Sequence, residues 1–275
     1  MSLSKRIVAS LLTVSLAAAT LLSGCTSQKP PAAPGPGGEE PAGLGLIEEG
    51  KLYVGSDCDY PPFIWLEEGK PVGFEYDLMK AIAEDLGLEL VYLEPQNFDS
   101  LPTALAGGGK MDLAVSSLTI TDERLEVINF CTPYMVSNQA IVTRATSSYT
   151  SYADLAELVI GAQAGTTGLD WAIENLPDAT IKEYNQTSDG LAALRAGEIE
   201  ALIFDEPVAA WQVQFGYTDC KIMEVIATGE LYGFAVSKDN PALEAAVNAS
   251  LKKLIDDGAY AILFEEYFNF EPTLR

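Results

Sequence analysis

From Leu52 to Phe268 the hydrophobic positions alternate between short, nearly unbroken apolar runs and stretches repeating every three to four residues. The first pattern predicts buried strands and the second amphipathic helices. Lys51 to Gly55 predicts a strand, and SDCDYPPFIW after it a loop, because Pro61 and Pro62 forbid regular pairing. Phe74, Leu78, Met79, Ile82 and Leu86 fall on one helical face, and Gly87 supplies the stop. Leu88 to Leu93 predicts the next strand. A second unit follows, with a helix near Ser100 to Ala106, a turn at Gly107-Gly108-Gly109 and a strand from Met111 to Val115. The triple glycine precedes a strand, and no Lys-Ser pair closes it, so it does not read as a phosphate loop.

Ile128 to Thr143 predicts an extended segment leading into a fresh series: a helix near Tyr152 to Leu158, a strand from Val159 to Gln163, the loop AGTTG and a helix carrying Trp171. A strand from Thr180 to Tyr184, a helix from Leu191 to Ala196, a strand from Ala201 ending at Asp205 and a helix from Glu206 to Gln214 come next. Ile222 to Val225 predicts a strand, with a turn at Gly229 and a return to extended structure at Tyr232 to Val236; two amphipathic helices close the chain. Strands alternating with helices predict mostly parallel sheets flanked by helices. Two extended segments joining two such series predict a hinge crossed twice.

The chain opens differently. Lys5 and Arg6 precede an apolar run from Ile7 to Leu22, the layout of a signal peptide. Leu22-Ser23-Gly24-Cys25 resembles the lipobox of bacterial lipoproteins, which implies cleavage after residue 24, lipidation of Cys25 and a membrane anchor there. Residues 25–45 are rich in Pro and Gly with almost nothing to bury, and read as a tether.

Composition narrows the function. The net charge of −24 opposes binding to nucleic acid or to anionic headgroups. The sequence holds no histidine, which removes the usual general base, imidazole triads and the commonest zinc ligand. No metal or cofactor is expected. Besides Cys25 there are Cys58, Cys131 and Cys220. Cys58 with Cys131 is the preferred pairing, since both lie in the first half of the body, against three buried thiols as the alternative.

The stretch Ser116 to Arg124, SSLTITDER, carries the candidate chemistry. Thr121 suits a helix N-cap, with Asp122 and Glu123 in the first turn. Arg124 sits poorly in a first turn, so it either snorkels into water or meets an anion, and Ser117 and Thr119 add the hydroxyls that a carboxylate needs. Asp205, at the end of a strand, suits the N-cap of the helix that begins at Glu206 and Pro207.

YPPF, GFEYDLMKAIAEDLG, SSLTITDER, AGTTG, IFDEPVAA, YGFAVSKDNPALEAAVNASL and DDGAYAILFEEYF, in that order, resemble the bacterial extracellular solute-binding proteins for polar amino acids, family 3. The resemblance implies an α/β fold of the type II periplasmic-binding kind: two lobes, each a mostly parallel sheet flanked by helices, joined by a two-strand hinge. Residues 46–137 plus 232–275 would form lobe 1, and residues 141–228 lobe 2. One departure is Thr132 before Pro-Tyr, where the family usually carries an acid.

By the same resemblance Arg124 would hold a ligand's α-carboxylate, helped by Ser117 and Thr119 and by Gly165, Thr166 and Thr167 from the other lobe. Asp205 would take the α-ammonium, Tyr60 and Phe98 would sandwich the side chain, and Asp57 would meet its polar end. That last contact favours arginine, lysine, histidine or glutamine over apolar amino acids. Asp59 is expected to face solvent, and Trp65 and Trp171 to pack in the core or on a lobe surface.

The function implied is capture of a free amino acid by a monomeric, lipid-anchored protein on the extracytoplasmic face of the cell membrane, with delivery to an ABC permease and no enzymatic step. Two alternatives stand beside it. One is a dehydratase of the cyclohexadienyl or arogenate type on the same fold, with Asp57, Asp205 or Glu206 as candidate acids. The other is a sensory ectodomain.

Overall fold

The computed structural model describes residues 43–268. The signal-peptide and lipidation readings, including Cys25, and most of the tether fall outside these residues, as do residues 269–275. Among the described residues no helix is long and apolar enough to cross a membrane.

The elements run β1 (Lys51–Gly55), β2 (Asp59–Tyr60), β3 (Ile64–Glu67), β4 (Lys70–Val72), α1 (Phe74–Asp85), β5 (Glu89–Tyr92), α2 (Leu101–Ala106), β6 (Leu113–Ala114), α3 (Asp122–Val127), β7 (Asn129–Phe130) and β8 (Met135–Arg144). They continue as β9 (Val159–Gln163), α4 (Thr167–Asn175), β10 (Thr180–Tyr184), α5 (Thr187–Ala196), β11 (Ala201–Asp205), α6 (Glu206–Trp211), β12 (Cys220–Tyr232), β13 (Ala235–Val236), α7 (Pro241–Asp256) and α8 (Ala259–Tyr267). Single 3-10 turns at Phe98–Ser100 and Tyr152–Leu155 supplement them, the second where the sequence predicts a longer helix.

Two five-stranded sheets result, ordered β5-β1-β6-β13-β7 and β10-β9-β11-β8-β12. In each, three strands run parallel with helices between them; the fourth, β13 or β8, is antiparallel to both of its neighbours, so the fifth points the same way as the first three. This is the mixed α/β, two-lobed type II arrangement. Side chains alternate faces along each strand. Leu113 joins the core under α1, α7 and α8, whereas its neighbour Ala114 packs with Leu101, Leu105 and Ile128 on the opposite face. Leu202 and Ile203 divide the second sheet's two faces in the same way.

Two sequence expectations are corrected. The segment around Pro61 and Pro62 is not wholly irregular: β2, β3 and β4 form a small antiparallel sheet beside α1. Its prolines occupy the tight connection from Tyr60 to Ile64, where Phe63 N–H bonds Tyr60 O at 2.9 Å. Gly229 does not reverse the chain. It sits at φ +64 where the pairing of β12 with β8 shifts register between Ile226 and Glu230, so one thirteen-residue strand continues through a bulge. The long antiparallel pair β8 and β12 belongs to the second sheet and leads directly into β7 and β13 of the first.

Candidate ligand-binding cleft

Strand order decides where a site can form. From β1 the chain moves to β5 on one side and then to β6 on the other; from β9 it moves to β10 and then to β11. Each reversal leaves a crevice beyond the carboxyl ends of the central strands, the usual ligand position of open α/β sheets. Asp57 and Tyr60 follow β1; Ser117, Thr119 and Arg124 follow β6; Gly165, Thr166 and Thr167 follow β9; Asp205 ends β11. All of these except Gly165, together with Phe98, line one narrow cleft. Gly165 stands at its edge. Ser116 and Gln163 complete the lining and were not expected.

Arg124 lies in the first turn of α3, which Thr121 caps as predicted: its Oγ1 accepts from Arg124 N at 3.2 Å. The residue is 9% exposed. Its Nη1 donates to Thr119 O at 2.7 Å and its Nη2 to Gly165 O at 2.9 Å, and it lies 5.3 Å from the centroid of the Phe98 ring. No carboxylate among the described residues forms an ion pair with it. Burial lowers its pKa, opposed by Asp205, Asp170 and Glu230. A buried cation with only neutral partners is suited to an incoming carboxylate.

Asp205 occupies the N-cap position of α6, yet its side chain makes no capping bond. It faces the cleft, where Oδ2 accepts from the Tyr60 hydroxyl and Oδ1 from Gln139 Nε2 at 2.7 Å. Burial, then the nearby Glu230 charge, push its pKa up to about 7. Asp57 Oδ1 accepts from Ser116 Oγ at 2.6 Å and Oδ2 from Gln163 Nε2 at 3.0 Å, so it already reaches a residue of the second sheet. Its pKa is raised by burial.

Glu75 was not anticipated. One oxygen accepts from Ser117 N at 2.8 Å, from Ser117 Oγ at 3.2 Å and from the Tyr134 hydroxyl, holding Ser117 at the left-handed φ of +50. Its other oxygen is buried without a partner, and burial pushes its pKa up to about 7. The GFEYDL stretch contained this acid, but nothing local ties it to a serine 42 residues away. Gln163 ends β9 two residues before Gly165, which is the only sequence signal for it.

Thr166 is committed to its own loop: it caps α4, accepting from Leu169 N at 3.2 Å, and donates to Gln163 O at 2.7 Å. Asp59 does not face solvent freely. It is half-buried, and its Oδ2 accepts from Ser188 N, at the start of α5, at 2.9 Å. Trp65 packs against Trp211, and Trp171 stands edge-on to Tyr152, both outside the cleft. Cys58, Cys131 and Cys220 are buried free thiols, so the Cys58–Cys131 pairing does not form. No cluster able to hold a metal occurs among the described residues.

The sequence profile of the bacterial extracellular solute-binding proteins, family 3, matches residues 52–270. The L-cystine-binding protein TcyJ of Escherichia coli is 31% identical over 235 residues, covering 82% of this chain and 85% of that protein. The crystal structures of the arginine-, lysine-, histidine-binding protein ArtJ from Geobacillus stearothermophilus superimpose with a TM-score of 0.75 at 31% identity, over 82% of this chain and 97% of that one. The ancestral amino acid-binding protein AncCDT-1, a precursor of cyclohexadienyl dehydratase, gives 0.73 at 34% identity, over 80% and 96%. A cleft built at two strand-order reversals, with an unpaired arginine and a buried aspartate from different sheets, thus sits on a matching sequence and a matching fold: the chain belongs to the bacterial extracellular solute-binding proteins, family 3.

Proposed function

We propose that this protein captures a free polar L-amino acid, with a basic or amide side chain preferred, and delivers it to an ABC importer from a lipid anchor at Cys25 on the extracytoplasmic face of the membrane. The observation that carries the reading is the buried Arg124 guanidinium, without an ion pair among the described residues, lining the same cleft as the buried Asp205 carboxylate. A zwitterion enters such a space at tolerable cost only when both of its charges find partners. Arg124 takes the α-carboxylate, with Ser117, Thr119 and the turn at Gly165, Thr166 and Thr167 around it, and Asp205 takes the α-ammonium. Tyr60 and Phe98 flank the side chain.

Asp57 supplies a second carboxyl group to the lining against the single arginine, a balance that favours a cationic or donor-rich side chain over an acidic one. Similarity to proteins named for cystine and for arginine, lysine and histidine supports the same range. Residues 46–137 plus 232–275 act as lobe 1 and residues 141–228 as lobe 2. Because Arg124 and Asp205 belong to different sheets, a ligand held by both favours the closed arrangement of the lobes.

The test is a thermal-shift screen against the twenty amino acids. Binding to the folded state alone raises stability by about 4 kcal/mol at a thousandfold excess over Kd. A shift with one or a few polar amino acids is expected, and no shift with any refutes the reading. The dehydratase alternative draws on two carboxyls pushed to about 7, Asp205 and Glu75, values that suit a general acid. Turnover of prephenate or arogenate without any amino-acid shift would favour it.

A further inference from the structure

Glu230 lies outside the lining of the cleft, yet it ties together much of the cleft's framework. It sits on β12 directly after Gly229, opposite Ser137 of β8, where the pairing shifts register. Its Oε2 accepts from Thr119 Oγ1 at 2.9 Å and from Thr167 Oγ1 at 2.7 Å. Thr119 follows a strand of the first sheet, and Thr167 opens a helix over the second. Gln139 Nε2, on the paired strand β8, lies 3.2 and 3.3 Å from the two Glu230 oxygens and also donates to Asp205 Oδ1 at 2.7 Å. One carboxylate therefore grips a hydroxyl from each sheet and shares an amide with the acid of the cleft.

We propose that Glu230 is a positioning residue of the ligand cleft: it clamps Thr119 and Thr167 to the connecting strands, and it places a second carboxylate beside the ammonium position at Asp205. The inference rests on the reading of the cleft as an amino-acid site. Three hydrogen-bonding side chains, from three separate segments, converge on Glu230 at the point where the two sheets are joined. A change in the spacing of the sheets must stretch one or both hydroxyl bonds, so the clamp acts in the arrangement in which Arg124 also reaches Gly165 O.

The charge has a separate effect. The groups facing Asp205 are Glu230, Tyr60, Tyr232 and Arg124; Glu230 raises its proton affinity, and the other three lower it. Removing the Glu230 charge while keeping its shape therefore makes Asp205 a stronger acid and lets it hold an ammonium group at lower pH.

The test uses Glu230→Gln and Glu230→Ala in the full protein. Carbon-13 carboxyl titration without ligand is expected to show the Asp205 midpoint falling by roughly half a pH unit or more in Glu230→Gln. Calorimetry with L-arginine as probe is expected to show about tenfold weaker binding in Glu230→Ala, and near-parental binding at pH 8 in Glu230→Gln, whose amide oxygen still accepts both hydroxyls. A carboxylate that merely filled out the strand pairing would leave the Asp205 titration unmoved. An unchanged midpoint in Glu230→Gln, or binding by Glu230→Ala within about twofold of the parent, overturns the proposal. If the parent binds neither L-arginine nor any other amino acid, the reading of the cleft falls, while the titration, which needs no ligand, still decides the coupling of Glu230 to Asp205.

Discussion

Acidification is expected to release the ligand, and the steepness of the release follows from Asp205. Its carboxyl is pushed up to about 7, chiefly by burial. An α-ammonium group pairs with the ionised form only, and in the complex that pairing draws the pKa back toward the ordinary carboxylate range. Binding at neutral pH therefore expels a proton, and below about pH 7 each further unit weakens affinity tenfold, or about 1.4 kcal/mol. At pH 5 the loss is about hundredfold relative to the plateau above pH 8, or about 2.7 kcal/mol. Calorimetry with the best ligand from pH 5 to 8.5, in two buffers of different ionisation enthalpy, measures both the slope and the released proton. Asp205→Asn should abolish the slope along with most of the affinity, whereas Glu75→Gln, which removes the other near-neutral carboxyl, should keep it. Affinity that stays flat within about twofold from pH 5 to 8 would refute the assignment of the ammonium to Asp205.

The same two acids set a stability trend of definite sign. Their folded pKa values lie above the ordinary 3.8 for Asp205 and 4.5 for Glu75, so their contribution is fully present below about pH 4 and lost as pH rises through about 7. Without ligand, the Tm contribution of these two residues should fall between pH 5 and 8, and Glu75→Gln should flatten part of that fall. Gly165→Ala should weaken ligand binding about tenfold or more with a smaller effect on Tm: its φ is +73, and an added Cβ would meet Asp99 Cβ at 2.8 Å and Cα at 2.9 Å, holding the segment after β9 away from the one before α2. Cys58, Cys131 and Cys220 should react slowly with a thiol reagent in the native state and fully in denaturant, since burial pushes the first two thiols up to about 11 and 12. Rapid native labelling of two or more of them would contradict their burial.

Much of the architecture was legible because single segments carry complete signals. Thr180 to Tyr184 and Val159 to Gln163 are strands with the bounds expected, and the face of α1 follows from Phe74, Leu78, Met79 and Ile82. The cleft residues named in SSLTITDER could be read from a local conflict, an arginine in a first helical turn, whereas Asp205 followed from the family resemblance, and that it does not cap α6 is visible only in the fold. What escaped was non-local. Glu75 and Ser117 meet across 42 residues, Asp57 and Gln163 across 106, and Glu230 and Thr119 across 111. Nothing in the immediate surroundings of Glu75, Gln163 and Glu230 distinguishes them from solvated polar residues, although their partners Ser117, Asp57 and Thr119 were named. Gly229 misled for a related reason: glycine marks a reversal or a bulge equally well, and only the partner strand β8 decides between them.

The central claim is that one buried zwitterion site captures an amino acid between Arg124 and Asp205. Its most direct test is a thermal-shift screen of the twenty amino acids against the parent and Arg124→Ala, followed by calorimetry on any ligand found. The account predicts a shift with one or a few polar amino acids, arginine, lysine, histidine and glutamine foremost, and affinity reduced at least about a hundredfold in Arg124→Ala, whose folded stability without ligand is retained. Binding of the same amino acid with undiminished affinity by Arg124→Ala would contradict it, as would the absence of a shift with all twenty.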